Sequence, residues 1–440
     1  MQRYTLSDKI TNGRHQLDTN IISGCSEQQE TLFLLTRTYP YDHGEEFIEA
    51  EIEYDAKAFT RIIIIATGIT RRSKITRKVP SNVLVFGIKE PLRPIIRYMK
   101  YALRGLMLLH QDILKNELKS ANTIKHSISI LYTYGRAIRN TERIDAIQQV
   151  VCSSQDKLLF YSYWCIDTAL TVVLLKQKTL KQGMSKAVSR AHGYDLYDDR
   201  NIVGIIPFRR YVLKGIDYVF PCSDDGKRHL NTQYPGYEEK IKTAYLGTAK
   251  YTTDIIKERK NHFHIVTCSS IVALKRIMLV AKAVHECEKK GIILEWTCIG
   301  DGPMLEEIKR YTKKSIQHSR VTFLGQLSNH DVIMFYRNTL VDLFINVSMT
   351  EGLPVSIMEA ISFGIPVLAT NVGGTKEIVR SEEIGCLMES DLNANKLSDY
   401  IIRMTEKSFS HEKIIDFWTN NFSAKKNYSL FSEQLKELIE

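Results

Sequence analysis

With 440 residues, 44% of them hydrophobic and 25% charged, the chain has the make-up of an ordinary globular protein and room for two to three domains. It carries 60 Lys+Arg against 50 Asp+Glu, but the excess is local: residues 1–250 hold 37 basic and 26 acidic side chains, the remainder 23 and 24. Residues 57–143 alone hold 18 basic and 4 acidic side chains, which suits nucleic acid, an anionic membrane or a pyrophosphate-bearing substrate. The aromatic–basic modules of nucleic-acid binders are missing, which sets that class aside. The eight cysteines form no Cys-x-x-Cys pair and no zinc-ligand spacing, so free thiols in a reducing, cytoplasmic setting are expected.

Residues 1–30 are polar and lack periodicity, and their first twenty have no apolar core of signal-peptide type. They are expected to form a tail. Thr31–Thr36 reads as the first strand. A loop with Gly44 and Glu45 follows it and leads into a helix through Ile48 and Ile52. Arg61–Ala66 is a second buried strand and Val83–Phe86 a short third. Helices are expected from about 92 to 150. In the first, Ile95, Met99, Leu103, Leu106, Ile113 and Leu118 recur at helical spacing, as for a packed face. Arg93, Arg97, Lys100 and Arg104 form a basic stripe on another face, a pattern that suits an anionic membrane surface.

Leu158–Leu175 is eighteen residues long with the single charge Asp167. That length is the short limit for a membrane span, and a central Asp costs ~2.5–3.5 kcal/mol on insertion scales. The stretch divides better into a strand ending Tyr163-Trp164 and an Asp-capped helix from about 168 to 178. Ala187–Ser189 is the next strand, and it exits into Arg190-Ala191-His192-Gly193-Tyr194-Asp195. A His-Gly at a strand end is well placed for chemistry. Ile216–Phe220 is another strand, and Tyr245–Thr248 is expected to close the first domain. The polar segment 249–262 reads as a hinge.

The second half repeats the alternation. His264–Ser269 is a strand, Ser270–Arg276 a loop, and Ile277–Cys287 a helix. Lys275 at that helix start can meet a diphosphate as a point charge. Leu294–Ile299 leads to Gly300-Asp301-Gly302-Pro303, with Asp301 expected to cap a helix over Pro303–Tyr311. Val321–Gly325 is a strand. Residues 341–379 then organise the whole: strand Val341–Val347, a turn at Glu351-Gly352, a helix with Pro354 at its first position, a stop at Gly364, strand Ile365–Thr370, and a Gly373-Gly374 loop. Glycines at the carboxyl ends of parallel strands mark the ligand edge of an α/β sheet. The N–H groups at the helix start suit a phosphate. Glu351 and, eight positions on, Glu359 stand beside that anion site, where sugar hydroxyls would suit two carboxylates.

These residues resemble the signature of retaining family-4 glycosyltransferases of the GT-B fold. The resemblance rests on Glu351…Glu359, Arg-Ala-His192-Gly-x-Asp, Gly-Asp-Gly-Pro and Lys275, and it covers about residues 31–435. It implies an α/β, GT-B architecture: two doubly wound Rossmann-like domains with an interdomain cleft. These would be an acceptor-side domain over 31–250, a nucleotide-sugar-binding domain over 262–415, and a helix over 416–440 crossing back to the first domain. It implies that Glu351 faces the donor sugar, that His192 lies near the reacting carbon, and that Glu359 takes the ribose hydroxyls. Gly352, Leu353, Val355, Lys275, Arg276, Ser270 and Gly300 would hold the rest of the donor. Gly44, Glu45, Tyr163 and Trp164 would lie on the acceptor side. The family's usual arginine is replaced by Ser270, for which Arg276 could compensate.

The implied reaction moves a hexose with retention from a nucleotide-diphosphate sugar to a sugar acceptor, lipid-linked, in cell-surface polysaccharide assembly. It would take place at the inner face of the cell membrane. No Asp-x-Asp pair stands at a strand end, and Asp198-Asp199 and Asp224-Asp225 read as surface-loop residues. Metal-independent catalysis without a resident cofactor is therefore expected. The competing reading is a nucleotide-sugar epimerase of the same build, which would need no acceptor.

Overall fold

The structure is a computed structural model that describes residues 28–179, 185–201, 203–251 and 262–440. Most of the expected tail and most of the expected hinge lie outside the described residues. The chain forms two compact units. The first takes in the described residues up to Cys222, Gly226–Ala244 and Tyr428–Glu440; the second takes in Ser223–Asp225 and Tyr245–Asn427.

The first unit is built on six parallel strands: β1 (Glu30–Thr36), β2 (Arg61–Ile69), β3 (Val83–Lys89), β4 (Lys157–Ser162), β5 (Ser185–Ala191) and β6 (Tyr218–Pro221). Their order is β3-β2-β1-β4-β5-β6, the doubly wound arrangement with its switch point between β1 and β4. In β1, Phe33 and Leu35 enter one apolar cluster, while Leu32 and Leu34 enter the other. Successive strand side chains point to opposite faces, so a run apolar throughout requires cover on both. Helix α1 (Ile48–Ala58) covers one face through Ile48 and Ile52. The helices α2 (Pro94–Met107), α3 (Asp112–Leu118), α4 (Ile124–Val151), α5 (Asp167–Thr179), α6 (Arg209–Gly215) and α7 (Asp224–Gln233) complete the connections. The other face is covered by α4 through Ile130, Tyr134 and Ala137, and by α5 through Ala169 and Val173. The stretch Leu158–Leu175 is therefore a buried strand and a buried helix. Among the described residues no helix is long and apolar enough to cross a membrane.

The second unit repeats the plan with β7 (Phe263–Cys268), α8 (Ile277–Lys289), β8 (Leu294–Ile299), α9 (Leu305–Ser315), β9 (Arg320–Gly325), α10 (Asn329–Asn338) and β10 (Leu343–Asn346). Then come α11 (Val355–Ser362), β11 (Val367–Thr370), α12 (Thr375–Ile378), β12 (Gly385–Met388), α13 (Ala394–Thr405) and α14 (His411–Asn421). Strand order is β12-β11-β10-β7-β8-β9, the same topology, with its switch point between β7 and β10. The last helix, α15 (Ala424–Glu437), is divided between the units at Tyr428.

Six expectations need correction. The apolar residues at 95, 99, 103 and 106 are exposed rather than packed, because α2 turns Tyr101 and Gly105 inward instead. The helix they belong to ends at Met107, and Ile113 and Leu118 pack from the separate α3. Tyr245–Thr248 belongs to the second unit, where the Thr248 N–H donates to Phe422 O and its hydroxyl accepts from Trp418 Nε1. Pro354 is the residue before α11 rather than its first, with extended backbone. Asp301 caps no helix: α9 starts four residues on, and Asp301 Oδ1 instead accepts from the Gly302 N–H at 2.6 Å. A pair read as surface loop is also placed differently, since Asp224-Asp225 opens α7.

Candidate active site

In the second unit the loops after β7 and β10 meet at the switch point. Met349 N–H donates to Leu274 O at 2.9 Å, which joins the two loops through their backbones. Lys275 Nζ lies 2.6 Å from Glu351 Oε1, and Asn346 Nδ2 reaches the same oxygen at 3.2 Å. Asn346 sits at the end of β10, and its Oδ1 accepts from Ser348 N–H, so the strand end itself aims the carboxylate. Behind Glu351 the Gly373-Gly374 loop packs backbone on backbone. A Cβ at Gly373, whose φ is +52°, would stand 1.9 Å from Glu351 O; one at Gly374 would stand 2.5 Å from Gly352 O. These two glycines are required by that close approach. Leu353 is buried beneath the turn, and α11 follows with the N–H groups of Val355 and Ser356, its first two positions, which have no intrahelical acceptor.

Glu359, in the second turn of α11, is buried and accepts from Asn329 Nδ2 at 2.6 Å. Burial pushes its carboxyl up to about 7, against the lowering by Asn329. The protein holds this group near the balance point between acid and carboxylate. Gly300, at the end of β8, has φ +130° and donates to Gly325 O; a Cβ there would meet Ser269 O at 1.9 Å. It brings the β8 loop against the β7 loop, while Ser270 stays exposed. Arg276 does not present itself as a free cation. Its Nε donates to Val347 O at 2.5 Å and its Nη1 to Ser390 O at 2.7 Å, so it ties the start of α8 to the β10 exit. Its own backbone is left-handed, with φ +51°.

In the first unit the loops after β1 and β4 meet at the corresponding switch point, and they do so around aromatic rings. The Glu45 carboxylate accepts from the N–H groups of Arg37, Thr38 and Tyr39 and from Trp164 Nε1 at 2.5 Å. Glu45 is thus the organiser of the β1 loop rather than a group facing acceptor. Gly44, with φ +96°, is held by Arg77 Nη1 at its carbonyl and by Glu46 at its N–H. Strand β4 stops at Ser162, which leaves Tyr163 and Trp164 in the loop. Tyr163 is fully buried and donates its hydroxyl to Glu51, so it backs the site rather than lining it.

His192 stacks on Tyr163, with ring centroids 5.0 Å apart, and lies 4.7 Å from Trp164. Its Nδ1 is 3.5 Å from Asp195 Oδ2. Asp195 also accepts from the N–H groups of His192, Gly193 and Cys165. Burial pushes the Asp195 carboxyl up, but His192 and those N–H donors outweigh it and hold it below the ordinary carboxylate value. Asp195 sits at ion-pair distance from the ring. Arg190, expected in the loop, lies within β5. It is buried against Glu51 at 3.2 Å and donates to Ala244 O.

Sequence reading missed four contributors. Asn346 and Asn329 position the two glutamates, and no motif announces them. Asp195 positions His192. Arg37, at the end of β1, lies beside the Tyr194 ring, 6.0 Å from its centroid, and Tyr194 in turn stacks on Trp164. A cation next to a strand end and an exposed tyrosine was the available signal.

Residues 252–436 match the model of the family described as Glycosyl transferases group 1. One component of the human phosphatidylinositol N-acetylglucosaminyltransferase is 37% identical over 127 residues, 28% of this chain and 25% of the relative. The putative colanic acid biosynthesis glycosyltransferase WcaL of Escherichia coli K12 is 24% identical over 233 residues, 51% of this chain and 56% of the relative. The chain thus spans between a quarter and just over half the length of these curated relatives. Among solved structures, Alr3699/HepE of Anabaena in complex with UDP superposes with a TM-score of 0.60 at 15% identity, covering 93% of this chain and all of that one. At that identity the likeness shows fold alone. The match to the glycosyl transferases group 1 family covers residues 252–436, in a chain that has the GT-B fold.

Proposed function

We propose that the chain is a retaining glycosyltransferase that moves a hexose from a nucleotide-diphosphate sugar to a sugar acceptor in cell-surface polysaccharide biosynthesis. The observation that carries this reading is the Lys275–Glu351 pair at the β7/β10 switch point, followed by the buried Glu359 in the second turn of α11. A lysine and the N–H groups of a helix start suit a diphosphate, and two carboxylates at different depths suit two sets of hydroxyls.

In this mechanism the donor's anomeric carbon–oxygen bond to phosphate breaks and the bond to the acceptor oxygen forms on the same face. The acceptor's proton passes to the departing phosphate oxygen. Lys275 leaves its contact with Glu351 to meet the growing negative charge on the diphosphate, and the α11 N–H groups share it. Glu351 holds the sugar's hydroxyls and stabilises oxocarbenium-like charge, while Glu359 accepts from the ribose. His192, beside Asp195, is assigned to the donor sugar. Tyr194, backed by the buried Trp164, offers an apolar face to an acceptor sugar, and Arg37 offers a cation to an acceptor phosphate, as a lipid-linked sugar at the cytoplasmic membrane face would carry. Charge neutralisation by side chain and backbone leads us to propose metal-independent turnover, for which full activity in excess EDTA is the expected result.

The test is a panel of nucleotide sugars, scored first for thermal stabilisation and then for release of nucleoside diphosphate with a lipid-phosphate sugar as acceptor. Acceptor-dependent release supports the reading. Conversion of the donor to an isomer without acceptor and without free nucleotide replaces it with an epimerase.

A further inference from the structure

Helix α2 has the wrong side out. Its close contacts are with α4: a Cβ on Gly105 would stand 2.2 Å from Leu131 O, and one on Gly135 would stand 2.1 Å from Tyr101 O. These contacts fix the inward face at Tyr101 and Gly105, with Tyr98 stacked on Tyr132 beside it. At 100° per residue, Ile95, Met99, Leu103 and Leu106 fall within about a quarter of the circumference, away from that face. They are exposed by 66%, 58%, 57% and 49%, and Met107 by 80%. The antiparallel register set by the Gly105–Leu131 and Gly135–Tyr101 contacts carries the start of α4 alongside the end of α2. Ile124 in the first turn of α4 is 80% exposed and Ile128 37%. Scattered surface apolars are ordinary, but a continuous row of this kind marks an interaction surface.

The neighbouring strip of the same helix is Arg93, Arg97, Lys100 and Arg104. Arg104 is joined to Glu142 at 2.5 Å; Arg93 and Lys100 are exposed. An apolar arc bordered by long basic side chains is the layout of a helix lying in a lipid interface. The apolar arc enters the acyl boundary, and the Lys and Arg stems reach back to the headgroups. The helix lies within the basic stretch 57–143, whose charge is complementary to an anionic surface.

We infer that the exposed apolar row of α2 is a membrane-docking ridge that inserts into the interface of an anionic bilayer, with the adjoining arginines and lysine setting lipid preference. This differs from an electrostatic stripe, because insertion persists where salt screens charge. It deepens the lipid-linked-acceptor reading, but its test reads binding alone and can fail while transferase activity stands.

The experiment is co-sedimentation of the full chain with phosphatidylcholine vesicles and with vesicles containing phosphatidylglycerol, at low and high salt. Wild type is expected to bind the anionic vesicles at low salt and to keep a measurable fraction bound at high salt. The triple variant Met99→Ser/Leu103→Ser/Leu106→Ser is expected to lose binding by more than about tenfold at either salt, since three inserted side chains are removed. Its circular dichroism and melting should be unchanged, because those positions are exposed. The variant Arg93→Gln/Arg97→Gln/Lys100→Gln should lose the preference for anionic lipid while keeping high-salt binding. No binding by wild type, or equal binding by the serine variant, overturns the inference. So does wild-type self-association that the serine variant abolishes, which would assign the ridge to a second copy.

Discussion

The two units share one strand order, and at the same topological position they carry different chemistry. At the β1/β4 switch point of the first unit, a carboxylate is consumed by architecture: Glu45 takes three backbone N–H groups and the Trp164 indole. What remains is a ring wall of Trp164, Tyr194 and His192, with Arg37 beside it. At the β7/β10 switch point of the second unit, the carboxylate Glu351 is held by the side chains of Lys275 and Asn346, both of which a ligand could displace. The same fold position is thus rigid and aromatic in one unit and charged and exchangeable in the other. A saturated carboxylate costs much to move and serves structure, whereas a carboxylate with an exchangeable partner is available for binding and catalysis.

That contrast can be broken by substitution. Glu351→Gln should leave nucleotide-sugar affinity within a few-fold and lower kcat by about a thousandfold, the scale of one electrostatic stabiliser in a shielded site. Glu45→Gln should instead lower melting temperature, because one oxygen able to accept freely is lost from the nest of N–H donors; a selective fall in kcat at unchanged stability would reverse the assignment. His192→Ala should cost about a hundredfold in kcat. Asp195→Asn, acting through the ring, should cost less and should shift the pH profile, a readout that packing damage alone would leave in place.

The buried carboxyls sharpen the comparison further. Glu359 sits near 7 in the free protein. A ribose hydroxyl is better accepted by the ionised form, so nucleotide affinity should rise as pH increases through 7, and Glu359→Gln should flatten that rise. Affinity independent of pH in the wild type would detach Glu359 from the nucleotide. In the first unit, burial first and the Glu51 charge second push Asp55 up to about 8, where it accepts from Ser432 of α15 at 2.6 Å. Its folded value lies above the ordinary one. The favourable contribution is therefore complete below about 4 and is lost as pH rises towards 8. Asp55→Asn should remove this slope in urea unfolding midpoints and leave turnover unchanged.

Much of the fold was legible because strand runs such as Leu32–Leu35 and Ile62–Ala66 are apolar throughout and bounded by polar residues. The motif glycines were legible for a similar reason, since backbone approaches as close as Gly373 to Glu351 admit no side chain. The facing of α2 was not legible. Its apolar period is that of a packed helix, and only the paired glycines 105 and 135 decide which side is buried. Tyr163 was misplaced because an aromatic at a strand end carries no mark of the buried Glu51 that claims its hydroxyl. Arg276 could stand for a phosphate ligand in sequence, but three backbone carbonyls take its donors in the structure.

The most direct test of the central claim is a paired measurement of Kd and kcat for one nucleotide sugar in wild type, Glu351→Gln and Glu359→Ala. Glu351→Gln is expected to lose turnover with binding nearly intact, and Glu359→Ala to lose binding by about tenfold or more. Equal, small effects of both variants on both quantities would contradict it.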